Sequence, residues 1–163
     1  MVGISFGGYT APLVCARAPT DLLVLVAGMV PSPGESAEEM FANTGYEYTP
    51  DEYPTPIKRF LHDVTPELAE EALSKGRKQS GAPLQEPWPL LAWPDVQTRY
   101  ILGQNDRLFP APWVRRVVKE RLGITPDEIA SGHCVPLSQP EELVARLEAY
   151  RTSADHGSVA PVA

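Results

Sequence analysis

The sequence predicts an α/β fold with parallel strands, and three observations carry that reading. Leu22-Leu23-Val24-Leu25-Val26-Ala27 is a continuous apolar run of strand length ended by Gly28, the pattern of a strand covered by helices on both faces. A second run, Arg99-Tyr100-Ile101-Leu102-Gly103, precedes an amphipathic stretch at 113–122. Strand-like and helix-like segments then alternate, which places the connecting helices between neighbouring parallel strands.

Each element has a local reason. Residues 7–17 follow a Gly-rich turn and carry Leu13, Val14 and Ala16 as a helix, with Pro12 expected to bend it near its start. After the strand at 22–27, Ser36 and Glu39 form a capping box for a short helix ending near Gly45. Thr55-Pro56 and Thr65-Pro66 each read as an N-cap followed by proline at the first helical position, the second opening a helix through Leu68, Ala69, Ala72 and Leu73. Residues 81–94, with Pro83, Pro87, Pro89 and Pro94, read as an irregular return. The strand at 99–103 leads to a helix from Trp113 to Leu122, which Gly123 stops. Glu128-Ile129-Ala130 is a weaker third strand. Ser138-Gln139-Pro140-Glu141 reads as a capping box opening a last helix through Leu143, Val144, Leu147 and Tyr150, and 152–163 as a frayed, disordered tail.

Composition narrows the function classes. The 163 residues carry 21 acidic and 14 basic side chains, a formal net charge of −7, which argues against a nucleic-acid partner, since phosphate binding needs clustered Lys and Arg. No apolar run approaches the roughly 18 residues of a membrane helix, and no secretory signal opens the chain. Cys15 and Cys134 suit free thiols in a reducing compartment, so a cytoplasmic protein is expected. Ten of the 18 prolines lie between Pro31 and Pro94, which sets that segment apart from the strands on either side.

Gly3-Ile4-Ser5-Phe6-Gly7-Gly8 matches G-x-S-x-G. A serine on a sharp strand-to-helix turn projects its hydroxyl above the sheet, and the residues two before and two after it crowd together, hence Gly3 and Gly7. The Phe6 N–H at the helix start is an oxyanion-hole candidate. A serine hydroxyl needs a base, and the base an orienting carboxylate. Asp106 follows the strand at 99–103, and His133 follows the last strand candidate, giving the chain order Ser5, Asp106, His133 at C-terminal strand ends. Singly, Asp106 is also a good turn-former and His133 an ordinary loop residue.

These residues resemble the carboxy-terminal portion of the α/β-hydrolase fold family, beginning at its nucleophile elbow. Gly3 to Gly8 resembles the elbow, Leu22 to Pro31 the sixth strand and its loop, Ile101 to Asp106 the acid-bearing strand end, and Gly132 to Pro140 the histidine loop. The resemblance implies core segments 1–34 and 96–151 separated by a helical cap, or lid, at 35–95. It implies a catalytic triad of Ser5, Asp106 and His133 acting without cofactor or metal on an ester, amide or related bond of a small molecule. Met29 and Val30 are the residues expected nearest substrate, and Trp88, with Trp93, Trp113 and Phe109, is a candidate for an apolar pocket. His62-Asp63, between two helix candidates, reads as a surface or capping pair.

The family's first four strands and nearly all of its fifth have no counterpart in these residues, nor does the loop that supplies a second oxyanion donor, a loss of roughly 3–4 kcal/mol in transition-state stabilisation. The expectation is therefore a truncated product or a wrongly chosen start, with an uncovered sheet edge open to self-association. Two other readings fit the same residues: a catalytically inactive fragment or interaction module, and a triad-using lyase such as a hydroxynitrile lyase.

Overall fold

The computed structural model describes residues 1–49 and 51–157. Four parallel strands, β1 (Val2–Ile4), β2 (Leu22–Val26), β3 (Gln97–Gly103) and β4 (Asp127–Ile129), lie in that spatial order. Val26 pairs with Ile4 on one side and Ile101 on the other, and Gly103 pairs with Ile129. The register brings the C-terminal ends of all four strands to one edge of the sheet, where ligands bind in open α/β folds. Helices α1 (Gly7–Cys15) and α6 (Ala111–Leu122) join β1 to β2 and β3 to β4. Gly123, at φ +72°, ends α6 in the left-handed conformation that glycine adopts without penalty.

Alternation along β2 builds two cores from one strand. Leu23 and Leu25 join Tyr100 and Leu102 of β3 beneath Val114, Val117 and Val118 of α6. Val24 and Val26 join Ile101 and Ile129 on the other face, against Val135, Leu143 and Tyr150. Both faces are thus covered, and the run at 22–26 is apolar throughout for that reason. The sheet ends at β1, where Val2 and Ile4 stay more than 40% exposed.

Between β2 and β3 the chain makes an insertion of short helices: α2 (Ala37–Asn43), α3 (Pro56–Phe60), α4 (Pro66–Ser74) and α5 (Ala82–Gln85). Ser36 and Glu39 form the expected capping box, and the Thr55 and Thr65 side chains accept from Lys58 and Leu68 N–H. The insertion is tied back at both ends. Glu35 pairs with Arg121 of α6 in a nearly buried contact, with Ser32 N–H and the Asn43 amide on the same carboxylate. Burial alone would raise its pKa; the Arg121, Ser32 and Asn43 hydrogen bonds reverse this and hold it below the usual carboxylate range. On the return, Trp88 and Trp93 donate their indole N–H groups to the Tyr9 and Pro31 carbonyls.

Three sequence readings are corrected. The return at 81–94 contains one short helix, α5, rather than none. Ser138 is not an N-cap: it ends α7 (Val135–Ser138), its hydroxyl 2.6 Å from Ser131 Oγ, and α8 (Pro140–Gly157) starts two residues later. The tail is helical as far as Gly157, and within α8 the Thr152 and Ser153 hydroxyls donate to the Glu148 and Tyr150 carbonyls; residues 158–163 lie outside the described residues. No described helix is long and apolar enough to cross a membrane.

Candidate active site

Ser5 is the first of the two residues between β1 and α1, and its φ of +51° is a left-handed conformation that a non-glycine residue adopts only when the surroundings impose it. They do so here. Its N–H donates to Val26 O at 3.1 Å, continuing the β1–β2 ladder, while its carbonyl accepts both Gly8 N–H and Met29 N–H at 3.0 and 2.9 Å. The small-residue requirement falls partly where the sequence suggested. A Cβ on Gly3 would stand 2.8 Å from Ala11 Cβ and from Gly7 O, but a Cβ on Gly7 would meet nothing within 4 Å. Gly8 takes its place as the crowded position, since a Cβ there would overlap the Met29 carbonyl.

Asp106 lies in the turn after β3 and is 7% exposed. Its two oxygens divide the turn-forming and orienting roles. Oδ1 accepts the Leu108 and Phe109 N–H groups at 2.7 and 3.0 Å, closing the turn. Oδ2 lies 2.8 Å from His133 Nδ1. His133, 4% exposed, follows β4, and its Nε2 lies 2.9 Å from Ser5 Oγ. The edges of Phe60 and Phe109 confine the ring at 5.6 and 5.1 Å between centroids. An ionised carboxylate only accepts, so Nδ1 must carry the proton and Nε2 is left to accept from the Ser5 hydroxyl. The acid and histidine loops are joined backbone to backbone, Gln104 N–H to Ile129 O and Asn105 N–H to Ser131 O, at 2.9 and 3.0 Å. Gly103 permits this approach, since a Cβ there would run into the Ser131 and Gly132 carbonyls.

Phe6 precedes the first residue of α1, so its N–H stands at the positive end of that helix beside Ser5. Its ring stacks on Tyr9 and lines a cavity of about 540 Å³ that opens onto Ser5. Met29, Leu108 and Phe109 line the same cavity from the core segments, and Phe41, Tyr46, Tyr48, Phe60 and Leu84 from the insertion; among the described residues, no Asp, Glu, Lys or Arg is in its walls. Tyr46 is pushed up to about 12 by burial and donates to Leu108 O at 2.6 Å as a neutral phenol.

Of the three residues expected near substrate, the structure places only Met29 in this cavity. Val30 is 2% exposed in the core and gives its carbonyl to Arg121, and Trp88, equally buried, packs on Trp93 and faces a separate apolar pocket beside α1. The sequence reading missed the walls that come from the insertion, since their aromatic residues carry no pattern that separates a cavity wall from a core. Cys134 adds no nucleophile: burial, with Asp106 and Asp63 nearby, pushes its thiol up and keeps it protonated.

A profile described as "Alpha/beta hydrolase family" matches residues 1–147. No curated protein matches the sequence. Among solved structures, polyneuridine aldehyde esterase is 20% identical with a TM-score of 0.68, covering 92% of this chain and 70% of its own. A pyrethroid hydrolase from Sphingobium faniae JZ-2 is 18% identical with a TM-score of 0.68, covering 94% and 69%. Tomato methylketone synthase I complexed with 2-tridecanone is 18% identical, also at 0.68, covering 94% and 70%. At these identities the likeness is one of fold.

Proposed function

The chain belongs to the alpha/beta hydrolase family, and from that premise we propose that it is a serine hydrolase cleaving an uncharged ester, or a related acyl bond, with an apolar or aromatic group beside the carbonyl. One observation carries the reading: Ser5 Oγ, His133 and Asp106 form an unbroken hydrogen-bonded line, 2.9 and 2.8 Å at its two joints. Ser5 attacks the carbonyl carbon while His133 Nε2 takes its proton. Asp106 holds the ring in the tautomer that can do so and stabilises the imidazolium that results. The Phe6 N–H, at the head of α1, is the oxyanion donor that these residues supply. His133 then protonates the leaving alkoxide, activates water and returns the proton to Ser5 as the acyl group departs.

The substrate class follows from the cavity. Among the described residues its walls carry no formal charge, so a charged group on the substrate would be desolvated there without a partner. Aromatic rings supply the contact area instead. The names of two fold relatives, an esterase and a hydrolase, agree with acyl chemistry. Labelling with a fluorophosphonate probe tests the reading. The purified protein is expected to label at Ser5, and Ser5→Ala to abolish labelling. A folded, monodisperse chain that never labels would overturn it.

A further inference from the structure

His62 and Asp63 stand between α3 and α4 in the insertion, and each reaches a backbone group far away in sequence. His62 Nε2 lies 3.0 Å from the Asn105 carbonyl; since a carbonyl only accepts, that nitrogen is the donor. The Asp63 Oδ2 atom accepts the Gly132 N–H. Asn105 immediately precedes Asp106, and Gly132 immediately precedes His133. One dipeptide therefore holds the backbone directly upstream of both the acid and the base. Gly132 provides the room: a Cβ there would stand 2.7 Å from Asp63 Oδ1 and 2.8 Å from His62 Nε2.

We propose that His62 and Asp63 are positioning residues for the triad, so that the insertion sets the Asp106–His133 geometry as well as walling the cavity. The two loops are already joined to each other through Asn105 and Ser131. That bond fixes their spacing near the strands, and the dipeptide ties the same two segments from the insertion's side. Other contacts from the insertion grip the acid loop in the same way: the Tyr46 hydroxyl donates to Leu108 O, and Arg107 donates to Lys58 O at 2.9 Å. His62 and Asp63 face a polar cleft with Asn105 and Arg107, apart from the cavity that Ser5 lines. Their loss should therefore slow the chemical step and leave substrate binding alone.

This inference rests on the triad reading, and the experiment separates the two. The full chain and its Asp63→Ala, Asp63→Asn and Ser5→Ala variants are compared by fluorophosphonate labelling rate, by steady-state hydrolysis of a p-nitrophenyl ester and by the low-field proton NMR signal of His133 Nδ1–H. Asp63→Ala is expected to lower the labelling rate and kcat roughly 10- to 100-fold with KM unchanged, the scale of a small misplacement of reacting groups. Asp63→Asn, whose amide oxygen still accepts the Gly132 N–H, is expected to recover most of the rate. The Nδ1–H signal should shift or broaden in Asp63→Ala and return in Asp63→Asn. Wild-type rates in Asp63→Ala, or a signal unchanged by that substitution, would overturn the inference. Absence of Ser5-dependent labelling in the wild type would instead overturn the triad reading, and the NMR comparison, which needs no turnover, still decides the positioning role.

Discussion

Asp106→Asn is the substitution whose outcome the geometry constrains most tightly. In the native site Oδ1 is committed to two backbone N–H groups and Oδ2 to His133. Asparagine has one carbonyl oxygen to divide between those places. If the amide nitrogen turned toward Leu108 and Phe109, a half-buried and a buried donor would lose their acceptor, the buried one at about 1–3 kcal/mol. The oxygen therefore keeps the turn, and the amide N–H faces His133 Nδ1. That nitrogen becomes an acceptor, the ring proton moves to Nε2, and the group beside Ser5 Oγ donates where it should accept. The fold is retained and the base is lost. In a Ser-His-Asp triad the wrong tautomer lowers kcat by about 10⁴-fold, about 5 kcal/mol at roughly 1.4 kcal/mol per tenfold. Initial rates on an activated ester measure the loss, thermal unfolding checks the fold, and nitrogen-15 NMR of the imidazole reads the tautomer. Asp106→Ala is the contrast, since it removes the turn acceptor too and should lower both rate and stability. A folded Asp106→Asn protein within tenfold of wild-type activity would refute the argument.

Two further outcomes test other parts of the framework. Gly8→Ala drives a methyl into the Met29 carbonyl, a backbone atom with nowhere to go, whereas Gly7→Ala enters open space. The first is expected to lower the unfolding midpoint by an amount equivalent to at least about 1–3 kcal/mol, and the second to be tolerated; equal midpoints would sink the assignment of the crowded glycine. Glu128, on β4, is held at about 2 by hydrogen bonds from Arg115 and then Gln104, below its reference value of 4.5. A depressed carboxylate stabilises the fold above the unfolded-state pKa and loses that contribution as pH falls through the folded one. The stability gap between wild type and Glu128→Gln, measured by denaturant titration, should close between pH 4.5 and about 2; a gap that stays constant across that window would count against the ion pair.

The sheet was legible in the sequence because β2 and the second half of β3, Tyr100 to Leu102, are buried on both faces, so those stretches had to be apolar without interruption. The grouping of Ser5, Asp106 and His133 was legible for a different reason: triad chemistry restricts residue type, chain order and strand-end placement together, and these residues meet all three and lie in hydrogen-bond contact. Asp106 could be read as a turn-former or as an orienting acid, and it is both, one oxygen for each. The misreadings came from choices made only in three dimensions. Ser138 had an available helix to cap, but Ser131 offers its hydroxyl a closer partner. Trp88 is aromatic like the true cavity walls, yet its indole N–H reaches the Tyr9 carbonyl and draws the ring into the core. The assignment of small-residue crowding to Gly7 rather than Gly8 turned on where the loop after β2 passes, which no local pattern reports.

The joints of the triad also differ in how much chain they close. Asp106 and His133 are 27 residues apart, and Ser5 and His133 are 128. Loop-closure entropy grows slowly with length, so the longer joint costs roughly 1.4 kcal/mol more than the shorter before any compensating contact. The acid and base lie on the ends of adjacent strands joined by a single helix, a unit that can assemble locally. Ser5 must wait for β2 to seat between β1 and β3, with the whole insertion accommodated between them. Reactivity at Ser5 is accordingly expected to be gained late as the chain folds and lost early under stress. Under the proposed function, loss of fluorophosphonate labelling during a gradual denaturant titration is expected to precede the loss of helix content and so to report the parting of the two ends of the sheet.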